Sequence, residues 1–151
     1  MPPIIVLAVR LRERPDPTGA AAARLARQVD GEVVLVYVAE ELETVPQLHA
    51  STGDDLDGLR RRIVEEVERD ISRYVDRNMP DVPVRIRITE GSVPDEVTRV
   101  ARDEGADYLV IGTEARSAIS HLILGSTTQD ILKRSSVPVV VVPGLMRGET
   151  G

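Results

Sequence analysis

Tyr108-Leu109-Val110-Ile111-Gly112-Thr113 is a short apolar run that ends on a glycine, and Gly125-Ser126-Thr127-Thr128 opens a segment with helical spacing further on. The run is short, aliphatic and bounded by turn residues, as a fully buried strand is. The connection from Thr113 to Leu124 exceeds the roughly 2–6 residues usual between a strand and a helix in α/β units. A strand, a long glycine-bounded link and a helix start set the frame for the remaining sequence.

Four further runs resemble the first: Ile4–Val9, Glu32–Val38, Val82–Ile88 and Val139–Val142. Segments with apolar residues at steps of three and four separate them. Ala20–Val29 carries Leu25, Ala26 and Val29. Asp54–Asn78 carries Leu56, Leu59, Ile63, Val67, Ile71 and Val75. Pro94–Glu104 carries Val97, Val100 and Ala101, and Ser126–Ser135 carries Ile131 and Leu132. Strands that alternate with helices, and are themselves apolar throughout, predict a parallel sheet covered on both faces. Ser92 before Pro94 reads as a helix start, and Gly31 and Gly105 as helix ends.

The expected fold is α/β, a doubly wound five-stranded parallel sheet of order 3-2-1-4-5, Rossmann-like. In the third run Val82, Val84, Ile86 and Ile88 alternate with Pro83, Arg85 and Arg87, which suits an edge. Val139–Val142 lies between Pro138 and Pro143 and is apolar on both faces. As a second edge it would invite pairing with another chain, so a homodimer through this strand is expected. In this strand order the chain reverses direction beside strand 1, and ligands bind past the carboxyl ends of strands 1 and 4. That places Ala8–Arg10 and the residues after Ile111 at the crevice.

Composition fits a single domain. The chain has 151 residues, 42% of them hydrophobic and 2% aromatic, so the core is aliphatic. A net charge of -6 argues against nucleic acid as a partner. With no cysteine, disulfides, thiolate metal sites and cysteine nucleophiles are excluded. No run is long enough to cross a membrane or to act as a signal peptide, and a cytoplasmic location is expected. Residues 1–143 read as the domain, 144–151 as a flexible tail and Leu42–Gly53 as an irregular connection.

Glycine followed by hydroxyl residues at a helix start suits phosphate binding. The glycine admits the anion to the backbone, and the free amides and positive helix end face it. Ser126, Thr127 and Thr128 can add hydroxyl donors. The alternative is that Ser126 or Thr127 only caps the helix.

Gly112-Thr113-Glu114-Ala115, nine residues, then Gly125-Ser126 resembles the G-x-x-G-x9-G-S/T signature of the universal stress protein family, with Ala115 in place of the second glycine. Ile4 to Val9, Val33 to Val38, Gly91-Ser92-Val93-Pro94, Ala101 to Thr113 and Ser136 to Val142 resemble further stretches of the same family. In its ATP-binding members, the resemblance implies an adenine nucleotide, ATP or AMP, at the crevice. The adenine then meets positions matching Ala8, Val9 and Val38. The phosphates meet Gly112, Thr113, Ala115, Gly125, Ser126, Thr127 and Thr128. The family also commonly dimerises through its last strand.

Two positions depart from that pattern. Arg10 stands where binding members usually carry an aspartate, and arginine can neither accept a hydrogen bond nor ligate a metal. Either it neutralises phosphate, together with Arg12 and Arg14, in place of Mg²⁺, or it is a solvated arginine pairing with an acid such as Asp16. Ala115 would cost about 1 kcal/mol if its φ is positive. His49 and His121 have no partner at metal-ligand spacing. Glu114 is the only acid in the link, and Ser126 has no histidine partner, so at most slow ATP hydrolysis or self-phosphorylation is expected. The two main readings are a nucleotide-binding regulator and a non-binding interaction module with a degenerate pocket, with a slow enzyme as the third.

Overall fold

The computed structural model describes residues 1–11, 16–46, 55–113 and 124–143. Its elements are β1 (Ile4–Ala8), α1 (Pro17–Val29), β2 (Glu32–Val38), a 3-10 turn (Glu40–Thr44), α2 (Leu56–Asn78), β3 (Val84–Thr89), α3 (Val93–Asp103), β4 (Tyr108–Gly112), α4 (Ser126–Arg134) and β5 (Val139–Val142). The strands form one parallel sheet of order β3-β2-β1-β4-β5. This is the expected topology. The direction of winding reverses at β1, which pairs with both β2 and β4.

Alternation along the central strands divides the core into two seams. Ile5, Leu7, Val33, Leu35 and Val110 pack with Ala22, Ala23 and Ala26 of α1 and Val67, Ile71 and Tyr74 of α2. Val6, Val34, Val36, Val38, Leu109 and Ile111 pack with Val97, Val100 and Ala101 of α3 and Ile131 of α4. Burying one such aliphatic side chain contributes about 1.5–3 kcal/mol. These seams therefore fix which helices cover which face.

Several local expectations change. β3 begins at Val84, because Pro83 has no amide to donate and Val82 belongs to a turn on the Met79 carbonyl. Ile86, on the apolar side of the alternation, is 45% exposed, since the outer flank of an edge strand has no neighbouring strand to cover it. The left-handed residue ending α1 is Asp30, at φ 55, and not Gly31. Gly31 is required for a different reason: a Cβ there would come within 2.7 Å of the Pro3 carbonyl oxygen. Gly105 does take the expected positive φ, 61°, after α3. Part of the expected irregular connection after β2 is ordered, with Leu42 and Val45 buried against Tyr37, Leu59 and Ile63. Residues 47–54, with His49, and the tail 144–151 lie outside the described residues.

Candidate functional site

The carboxyl ends of β1, β2 and β4 lie side by side, so Ala8, Val38 and Gly112 meet at one end of the sheet. Val9 is buried and Arg10 is exposed where the chain leaves β1. Ala115, Arg12, Arg14, Glu114 and His121 lie outside the described residues. The structure thus brings Ala8, Val9, Arg10, Val38, Gly112, Thr113, Gly125, Ser126, Thr127 and Thr128 to the same end of the molecule.

The β1–β2 ladder opens there. Even-numbered residues of β2 turn their backbone groups toward β1, as the amide of Glu32 bonded to the Pro3 carbonyl shows, and odd-numbered residues turn theirs toward β3. The ladder's last bond is Val9 N–H to the Val36 carbonyl, 3.2 Å. Val38 is next in the series, and its amide meets no carbonyl of β1 among the described residues. On the β3 side the sheet stays closed, with Ala39 N–H on the Thr89 carbonyl at 2.7 Å. An amide that meets no carbonyl of β1 among the described residues, beside a buried valine, suits the edge of a planar base.

The start of α4 is built differently from the expected serine or threonine cap. Gly125 is the capping residue and has no side-chain oxygen to offer. Its amide reaches the Thr113 carbonyl at 3.4 Å, and its carbonyl accepts the amide of Gln129 at 3.0 Å. Between these bonds, the amides of Ser126, Thr127 and Thr128 meet no acceptor among the described residues. No acid stands in the first turn of α4. Ser126 is exposed and Thr127 half-buried. Thr128 is 1% exposed, and its hydroxyl donates to the Gly112 carbonyl at 2.9 Å. Its proton is therefore committed to holding α4 on β4, whereas Ser126 and Thr127 remain suited to an anion.

Asp16, one possible acid for Arg10, has both carboxylate oxygens engaged. It caps α1 by accepting from the Thr18 amide at 3.0 Å, and it accepts from the Tyr74 hydroxyl. Burial, then the neighbouring Asp16 charge, push the Tyr74 hydroxyl pKa well above the usual tyrosine range. Sequence reasoning named Asp16 only as a possible partner for Arg10, and missed both its cap role and its bond to Tyr74. Asp16-Pro17-Thr18 was a legible signal, an acid before a proline at a helix start. Among the described residues, no three histidine or acidic side chains gather as a metal site would need.

The chain matches the family model described as the universal stress protein family over residues 2–143. It belongs to that family. A universal stress protein of Methanocaldococcus jannaschii is 27% identical over 124 residues, which cover 74% of this chain and 76% of that protein. The fold is shared with a universal stress protein from Archaeoglobus fulgidus in complex with dAMP, at a TM-score of 0.64 and 18% identity, covering 94% of this chain and 98% of that one. A universal stress protein in complex with cAMP superposes at a TM-score of 0.63 and 17% identity, covering 95% and 98% of the two chains. Among the described residues, no helix of this universal stress protein is long and apolar enough to cross a membrane.

Proposed function

We propose that this universal stress protein binds an adenine nucleotide, ATP or AMP, past the carboxyl ends of β1 and β4, and acts as a cytoplasmic regulator in the response to stress. The observation that carries the reading is that the amides of Ser126, Thr127 and Thr128 meet no acceptor among the described residues, at the end of the sheet where β1 and β4 run out. Free helix-start amides and the helix dipole favour an anion there. The Val38 amide, which meets no carbonyl of β1 among the described residues, suits the base, and Gly112, Thr113, Gly125, Ser126 and Thr127 suit the phosphates. Ala8 and Val9 would form the floor. The complexes of relatives with dAMP and cAMP support an adenine ligand.

Arg10 favours a second reading. It puts a cation where a family aspartate would contact ribose or a metal, and a chain that kept the fold without the ligand would tolerate that change. In both readings the β5 edge, Val139–Val142, pairs with a second copy.

Calorimetric titration with ATP, AMP and cyclic AMP, each with and without Mg²⁺, separates the two. Saturable heat with one of them is expected. Binding that needs no metal and is lost in Arg10→Ala would give Arg10 the role of phosphate partner. Absence of heat and of any thermal shift with all three ligands would leave the interaction module as the function.

A further inference from the structure

Beneath the first turn of α1, Asp16, Tyr74 and Asn78 form a closed polar knot. The Tyr74 hydroxyl donates to Asp16 Oδ2. Asp16 N–H donates to Asn78 Oδ1 at 3.1 Å, and Asn78 Nδ2 donates back to the Tyr74 carbonyl at 3.0 Å. Tyr74 is buried in an apolar seam where phenylalanine would fill the same space. Its hydroxyl therefore needs a reason, because a buried hydroxyl is costly unless bonded. Gly19 makes room for it: a Cβ there would lie 2.4 Å from the Tyr74 oxygen.

The knot does not end at α1. Thr18, whose amide Asp16 holds, stands against the end of β4: a Cβ on Gly112 would meet Thr18 Oγ1 at 2.9 Å. The Gly112 carbonyl receives the Thr128 hydroxyl from the first turn of α4. Helices α1 and α4 cover opposite faces of the sheet. This path of contacts crosses the sheet at the one residue where β4 runs out.

We propose that Tyr74 and Asp16 are positioning residues for the anion-binding turn of α4. Neither would touch the ligand. They fix Thr18 against Gly112, and Gly112 in turn fixes Thr128 and the open amides beside it. The proposal rests on the nucleotide reading for its ligand. It concerns the phosphate end, because the base end at Val38 is built by β2 and does not depend on the knot.

The test compares wild type, Tyr74→Phe and Asp16→Asn by titration with adenosine and with ATP. In Tyr74→Phe, ATP is expected to bind about tenfold more weakly, a loss of the size of one hydrogen bond to a charged group. Adenosine should be affected by less than about twofold. Asp16→Asn should retain near-wild-type ATP binding, since its amide can donate to the tyrosine oxygen while its carbonyl still caps α1. Equal weakening of both ligands would reduce the pair to a purely structural role, and unchanged ATP binding would overturn the proposal outright. Amide hydrogen exchange of the ligand-free protein tests the same path separately. Faster exchange at Gln129 in Tyr74→Phe is expected, and unchanged exchange there contradicts the coupling. Wild type binding neither ligand would instead sink the nucleotide reading, and the exchange result would then decide the positioning claim alone.

Discussion

The starts of α1 and α4 both border the crevice, and they are finished in opposite ways. At α1, Asp16 gives its carboxylate to the Thr18 amide and its carbonyl to the Ala20 amide, and Pro17 has no amide to satisfy. At α4, glycine occupies the cap, the first turn carries no acid, and three amides in a row meet no acceptor among the described residues. The start of α2 sides with α1, since Asp55 caps the Gly58 amide. At α3 the cap residue Ser92 makes no side-chain bond, but Pro94 removes one donor and Asp95 and Glu96 put negative charge in the first turn, which α4 lacks. Left to stability alone, a helix start acquires a cap contributing about 1 kcal/mol. A start kept open is what an anion site requires.

The largest way to break this contrast is to open the closed start. Asp16→Ala removes the cap of α1 and strands the buried Tyr74 hydroxyl. A loss of about 3 kcal/mol is expected, read as a lower urea midpoint with an unchanged slope. Thr128→Val severs α4 from the Gly112 carbonyl. About 1.5 kcal/mol should be lost in the same measurement, and nucleotide affinity should fall with it.

The converse change closes the open start. Gly125 sits at φ -63 and ψ 160, which any residue adopts. Gly125→Asp should therefore cap α4 and raise stability by about 0.5–1 kcal/mol. It should also place a carboxylate where phosphate is proposed, so ATP affinity should drop at least about tenfold. A variant that is less stable, or one that binds ATP normally, would remove the argument that the bare cap serves a ligand.

The smallest effect is expected at the opposite end of the sheet. The Arg85 guanidinium, hydrogen-bonded to Glu104, holds that carboxyl below the usual glutamate range, with Arg87 adding to the effect. A lowered folded-state pKa gives stability that is present above the unfolded value, about 4.3, and lost as pH falls through the folded one. Arg85 is half exposed, so solvent limits the contribution to about 0.5 kcal/mol. Glu104→Gln should lower the urea midpoint slightly at pH 7 and leave it unchanged near pH 2, without moving nucleotide affinity.

Much of this architecture was legible in the residues. Aliphatic runs such as Val33 to Val36 can only be interior strands, and strict alternation with helices left few topologies. The switch point, and with it Ala8–Arg10 and the residues after Ile111, followed from strand order, whereas Val38 came from the family resemblance. Illegible were features made by distant residues meeting. Tyr74 looked like one more position on a helix whose apolar stripe was read from Leu56 to Val75. Only the folded chain sets it on Asp16, across a sequence separation that no local pattern reports. The commitment of Thr128 to Gly112 was hidden for the same reason, because a hydroxyl at a helix start serves an anion or a carbonyl equally well.

Asp30 closes α1 in the left-handed region, a conformation in which a side chain costs about 1–2 kcal/mol and glycine nothing. It lies beyond α1 at the sheet end opposite the crevice, where β2 begins. Asp30→Gly would therefore harden the scaffold against heat without rewriting its recognition surface. A family member with such a change still available has been tuned to suffice, not to be maximally robust.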